Sequence, residues 1–202
     1  MGPAPGNHEY WTGGAAGYFE YYGAAAEDPS KGYYSFDLGR WHLIALNSNC
    51  DEVGGCGRRS AQTRWLRQDL ATSRARCTLA YWHHPRFSSG PHGSSAAYRE
   101  FWRALYAANA DVVVVGHDHD YERFAPQNAE GLADSARGLR ELVVGTGGKS
   151  LYPFDGRAAN SEARNATTFG VLKLTLRPKS YAWRFVPVAG GTFTDSGSAA
   201  CH

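Results

Sequence analysis

Short apolar runs alternate along the chain with longer polar and glycine-rich stretches. Residues 33–39 (YYSFDLG) and 41–48 (WHLIALNS) alternate or run apolar on either side of Gly39-Arg40, which predicts a hairpin. In residues 60–73 (SAQTRWLRQDLATS), Ala61, Trp65, Leu66 and Leu70 fall near helical spacing, and Ser60 can cap the start. Residues 77–82 (CTLAYW) read as a short buried strand. Residues 95–110 gather Tyr98, Phe101, Trp102, Leu105 and Tyr106 on one helical face. The β-branched run in residues 111–116 (DVVVVG) predicts a central strand buried on both faces. A loop is expected from there to about residue 138, then a strand in RELVVGTGG. Residues 169–176 and 181–188 alternate around a polar link and predict a terminal antiparallel hairpin. Residues 12–32 read as a long loop with room for one helical turn, and the tail from residue 189 is low in order signals. Helices between buried strands, flanked by hairpins, predict a layered α+β or α/β fold, with one domain over residues 1–202.

Composition agrees with a packed core: 43% of the 202 residues are hydrophobic and 20% charged. A net charge of +2 is too balanced to point to nucleic acid or a membrane surface. No apolar run approaches the roughly 20 residues that cross a bilayer, and the first residues lack the basic and apolar segments of a signal peptide. Cysteines point the other way. Cys50 and Cys56 flank a glycine-containing loop that can close on itself as a disulfide, which requires folding outside the cytoplasm. Four cysteines allow three pairings, and the alternative for Cys77 is a buried thiol.

Histidine carries the chemistry. His8, His83, His84, His92, His117 and His119 lie in three short loops, two of which follow buried strands. In an extended backbone, His117 and His119 project to one side and can share a metal or serve two adjacent ones. Pro85 biases His84 toward extended geometry. Asn7 offers a neutral oxygen ligand, which leaves His8 free to act on substrate. Such donors suit Zn, Mn or Fe, and two ions about 3.5–4 Å apart clamp a phosphate and activate a hydroxide. Serines near His83 and His92 suggest a serine hydrolase, but no G-x-S-x-G elbow occurs.

Gly6-Asn7-His8-Glu9, Ala80-Tyr81-Trp82-His83 and Gly116-His117-Asp118-His119 resemble, in order, the G-N-H-[DE], V-x-x-H and G-H-x-H blocks of calcineurin-like metallophosphoesterases. HDHDYER (117–123) and VVGTGG (143–148) resemble the purple acid phosphatase branch. The resemblance implies an αββα sandwich and hydrolysis of phosphate esters at a dinuclear centre of Fe, Zn or Mn. It implies Asn7, His83 and His117 as ligands of one metal and His119 as a ligand of the other. His8 and His92 would contact the phosphate and protonate the leaving oxygen. Glu9, His84, Asp118, Tyr121 and Arg123 would brace these groups. The implied partner is a phosphate ester. The family's first two blocks, which carry a leading Asp and a bridging Asp, would precede Gly6. A sandwich truncated at its N-terminus, without its first strands, is therefore expected. Two functions are compatible with that: a phosphoesterase, or a catalytically inactive metal- or phosphate-binding module. Little or no turnover is expected of these residues alone, and the full-length form is expected to be secreted.

Overall fold

The computed structural model describes residues 2–202. β1 (Tyr34–Leu38) and β2 (Trp41–Ala45) form the expected hairpin. From β2 the sheet continues in parallel through β3 (Cys77–Tyr81), β4 (Val112–Val115) and β6 (Arg140–Val144). β5 (Tyr121–Phe124) and β7 (Ser161–Asn165) join antiparallel, giving the order β1-β2-β3-β4-β6-β5-β7. A smaller antiparallel sheet, β10-β9-β8, comprises β8 (Gly170–Arg177), β9 (Ser180–Pro187) and β10 (Ser196–Ala200).

Parallel neighbours need crossovers, and two helices supply those from β2 to β3 and from β3 to β4: α1 (Ala61–Thr72) and α2 (Arg99–Ala107). The Thr63 amide donates to Ser60 Oγ at 3.2 Å, so the serine caps α1 as its position predicts. Phe101, Trp102 and Leu105 of α2 are fully buried with Ile44, Val113 and Val143 of the large sheet. Each such side chain contributes about 1.5–3 kcal/mol by burial. On the sheet's other face, Trp41, Leu79, Val112, Tyr121 and Leu142 meet Tyr181, Trp183 and Phe185 of the small sheet. The layers therefore run helices, large sheet, small sheet. The valine run of β4 lies between two cores, as its composition predicts.

Three strands escape the sequence pattern. β5 lies in the stretch read as loop because its middle residues are charged. Glu122 is nonetheless buried, its carboxylate accepting hydrogen bonds from the Ser89 amide at 2.7 Å and Ser89 Oγ at 2.6 Å. β7 is polar apart from Ala163. β10 is made of Ser, Gly and Ala, and a Cβ at Gly197 would strike the Trp183 ring. The small residues that hide this strand from an apolar count are what let it lie over that indole. Cys77–Cys201 ties the tail to the start of β3, and Cys50–Cys56 closes the short loop as expected.

Candidate metal centre

β3 and β4 pair as far as Tyr81 and Val114. Just past them the Gly116 amide donates to the His83 carbonyl at 2.8 Å, extending the ladder. His83 and His117 thus leave the sheet side by side. His117 Nδ1 lies 3.1 Å from His83 Nε2, and Asn7 Oδ1 lies 2.8 Å from that same nitrogen. Asn7 arrives on a turn closed by the Glu9 carboxylate, which accepts the Gly6 amide at 2.6 Å. A Cβ on Gly6 would come within 3.0 Å of the His83 ring, so this turn requires glycine to approach.

The extended-backbone expectation for His117 and His119 fails. The Asp118 amide donates back to the Gly116 carbonyl at 2.8 Å, and His117 takes a left-handed φ of 67°. That conformation costs a non-glycine residue roughly 1–2 kcal/mol. The bend swings His117 toward His83. His119 instead places Nδ1 2.8 Å from the Ser150 carbonyl oxygen and stacks on Tyr152. The two imidazoles do not converge on one point.

Burial, reinforced by the neighbouring imidazoles, pushes His83 down to about 3. Burial and adjacent imidazoles likewise hold His84 and His117 down at about 4. Neutral rings keep the lone pairs that a metal takes. A neutral amide oxygen with neutral ring nitrogens suits a divalent first-row ion, so Asn7, His83 and His117 fit one such ion. Among the described residues, no comparable group of three donors forms around His119.

The remaining candidates divide by location. His92 is brought in, its ring 4.2 Å from that of His117 and its Nδ1 2.7 Å from Asp118 Oδ1. His8 is exposed and stacks on Trp11 at 4.0 Å, near enough that its charge helps hold His83 down. His84, expected only to brace, joins the cluster: its ring centre is 4.3 Å from that of His117. It also lines, with Asn7, Tyr10, Ser48 and Tyr98, a cavity of about 410 Å³. Tyr121 and Arg123 face the small sheet. The Tyr121 hydroxyl and Arg123 Nε donate to Asp195 Oδ2 at 2.6 and 2.7 Å, and Arg123 also pairs with Glu162.

Sequence reasoning passes over Ser48 and Asp120, and weighs Ser88 only as a hydrolase serine. Ser88 donates to Asp118, and Ser48 holds His84. Isolated serines in polar loops carry no signal of their own. The Asp120 carboxylate is buried without a hydrogen-bond partner among the described residues; burial, then the charges of Asp118 and Glu122, push it up to about 8. Its place in the HDHD run was the available clue.

A sequence profile of the calcineurin-like phosphoesterase family matches residues 3–121. An uncharacterized protein of Mycobacterium tuberculosis (strain H37Rv) is 31% identical over 185 residues, covering 73% of this chain and 35% of that one. Purple acid phosphatase 18 of Arabidopsis thaliana is 33% identical over 122 residues, covering 57% of this chain and 26% of its own. The structure of purple acid phosphatase PPD1 from yellow lupin (Lupinus luteus) seeds superposes with a TM-score of 0.73, over 87% of this chain and 34% of that one. At 20% identity this is a likeness of fold. The chain spans about a third or less of the length of these curated relatives.

Proposed function

The chain belongs to the calcineurin-like phosphoesterase family, and from that premise we propose that its site hydrolyses phosphate esters with metal-activated water. The observation that carries this reading is the meeting of Asn7 Oδ1, His83 Nε2 and His117 Nδ1 at the end of two parallel strands. Those three would hold one ion; His119, with Nε2 free, would supply a ligand to a second, since the family generally uses two. Bound metal supplies Lewis acidity and a water acidic enough to serve as nucleophile. The protein's own groups do the rest. His8, at the exposed edge, binds an anionic oxygen. His92, turned by Asp118 so that Nε2 is its free nitrogen, hands a proton to the leaving oxygen. Glu9 keeps the Asn7 turn closed.

A second reading is a module that binds metal and phosphate without turnover. It is favoured by the isolation of His119 from any second donor group among the described residues. One experiment separates the two. The purified chain is loaded with Zn, Mn or Fe, and release of p-nitrophenol from its phosphate ester is followed with and without chelator. Turnover that chelation and His83→Ala both abolish supports the first reading. Tight metal and phosphate binding with no turnover supports the second. A chain that binds no metal sinks both. Two disulfides support an oxidising destination, and we propose that the full-length form is secreted.

A further inference from the structure

His84 has no role as a ligand in the pattern this chain resembles, yet it is held firmly. The Trp82 indole donates to its carbonyl at 2.6 Å, and its ring stacks on Tyr98, 16° from parallel. Ser48 Oγ accepts the His84 amide at 3.1 Å and lies 2.8 Å from His84 Nδ1. The hydroxyl has one proton, and the described residues give it no acceptor besides Nδ1. A serine that donates to Nδ1 puts the ring proton on Nε2. In this tautomer Nε2 is a hydrogen-bond donor, not a metal ligand. A ring nitrogen of His84 lies within 4.8 Å of ring nitrogens of both His83 and His117, and His84 shares a cavity wall with Asn7.

We propose that His84 contacts substrate, its Nε2–H donating to an oxygen of a phosphate group bound beside the Asn7–His83–His117 donors. This rests on the reading that the site binds phosphate. Ser48 is its positioning residue, setting the tautomer from behind. A neutral donor at this place grips an anion without adding charge next to a cation, a task that a lysine or arginine would perform at the expense of metal affinity.

The test is calorimetric titration of inorganic phosphate into the zinc-loaded full chain, with zinc affinity measured separately on each variant. His84→Phe keeps a flat ring but no N–H, and should weaken phosphate binding roughly 10- to 100-fold, the loss of one hydrogen bond to a charged acceptor. Its zinc affinity should stay unchanged. His84→Gln, whose amide can reach the Nε2 position, should recover most of the phosphate affinity. Ser48→Ala should give an intermediate loss. Unchanged phosphate affinity in His84→Phe overturns the proposal, as does a parallel loss of zinc, which would make His84 a ligand. If His84→Phe does not fold, unchanged affinity in Ser48→Ala overturns it instead. A wild-type chain that holds zinc but no phosphate removes the broader reading as well, a result distinct from all of these.

Discussion

Asp118 Oδ1 accepts two hydrogen bonds from a single residue, His92: its amide at 3.0 Å and its ring Nδ1 at 2.7 Å. The other carboxylate oxygen takes the Ser88 hydroxyl, and the carboxylate is wholly buried. One side chain thus pins both the loop carrying His92 and the orientation of its ring. Asp118→Ala should cost roughly 2–4 kcal/mol, from the loss of several buried hydrogen bonds to a carboxylate. Amide exchange over residues 88–93 should rise sharply, and phosphate affinity should fall with it. Unaltered exchange protection in that loop would show that the pin is dispensable.

Gly145 packs against the backbone of the histidine turn. A Cβ there would run into the Asp118 carbonyl oxygen and come within 3.0 Å of His119 Cα. Gly145→Ala should push residues 117–119 outward, lowering stability by about 1–3 kcal/mol. Zinc affinity should weaken by about tenfold or more as His117 moves off His83. A variant with wild-type melting temperature and zinc affinity would contradict this packing argument.

His42 sits between two carboxylates, Nδ1 2.8 Å from Asp37 and Nε2 2.7 Å from Asp69. Burial alone would hold it down, but the two aspartates outweigh that and raise its pKa above the ordinary value. A raised folded-state pKa stabilises fully below the unfolded value of about 6.5 and is lost as pH rises through the folded one. Denaturant unfolding followed upward from about pH 6 should therefore show a decline that Asp69→Asn removes. Identical pH profiles for the two proteins would rule the clamp out as its source.

The two disulfides should differ in worth. Cys77–Cys201 spans 124 residues and Cys50–Cys56 only 6. On a loop-closure basis, removing the first should cost about 5 kcal/mol and removing the second about 2. Thermal melts of Cys77→Ala/Cys201→Ala and Cys50→Ala/Cys56→Ala compare them directly, and equal shifts would show that chain entropy is not the governing factor.

Much of this was readable beforehand, for reasons particular residues make plain. Val112 to Val115 could only be a strand buried on both faces, and Ser60 stood where a cap belongs. The three motif blocks singled out Asn7, His83 and His117, and the fold brings Asn7 and His117 within hydrogen-bond distance of His83. What escaped depended on contacts distant in sequence. β5 hides its charge in partnership with Ser89 and Ser161, and Tyr121 and Arg123 turn to Asp195 in the small sheet. The geometry of His117 and His119 departs from period-two alternation, which holds only while the backbone stays extended. The place of His84 depends on Ser48, 36 residues away, a contact that sequence spacing does not show.

His83 and His117 meet where the hydrogen-bond ladder between β3 and β4 runs out: the last rung, from the Gly116 amide to the His83 carbonyl, sets His83 beside Gly116, and the left-handed turn at His117 closes the remaining gap. The interval is thus set by main-chain geometry, a ladder followed by one bend. Loops that do not touch that bend can grow, shrink or be exchanged while the two imidazoles keep their interval. With those donors holding an ion as proposed, the fold would uncouple that grip from the choice of what is brought to it, and leave the second open to evolutionary drift.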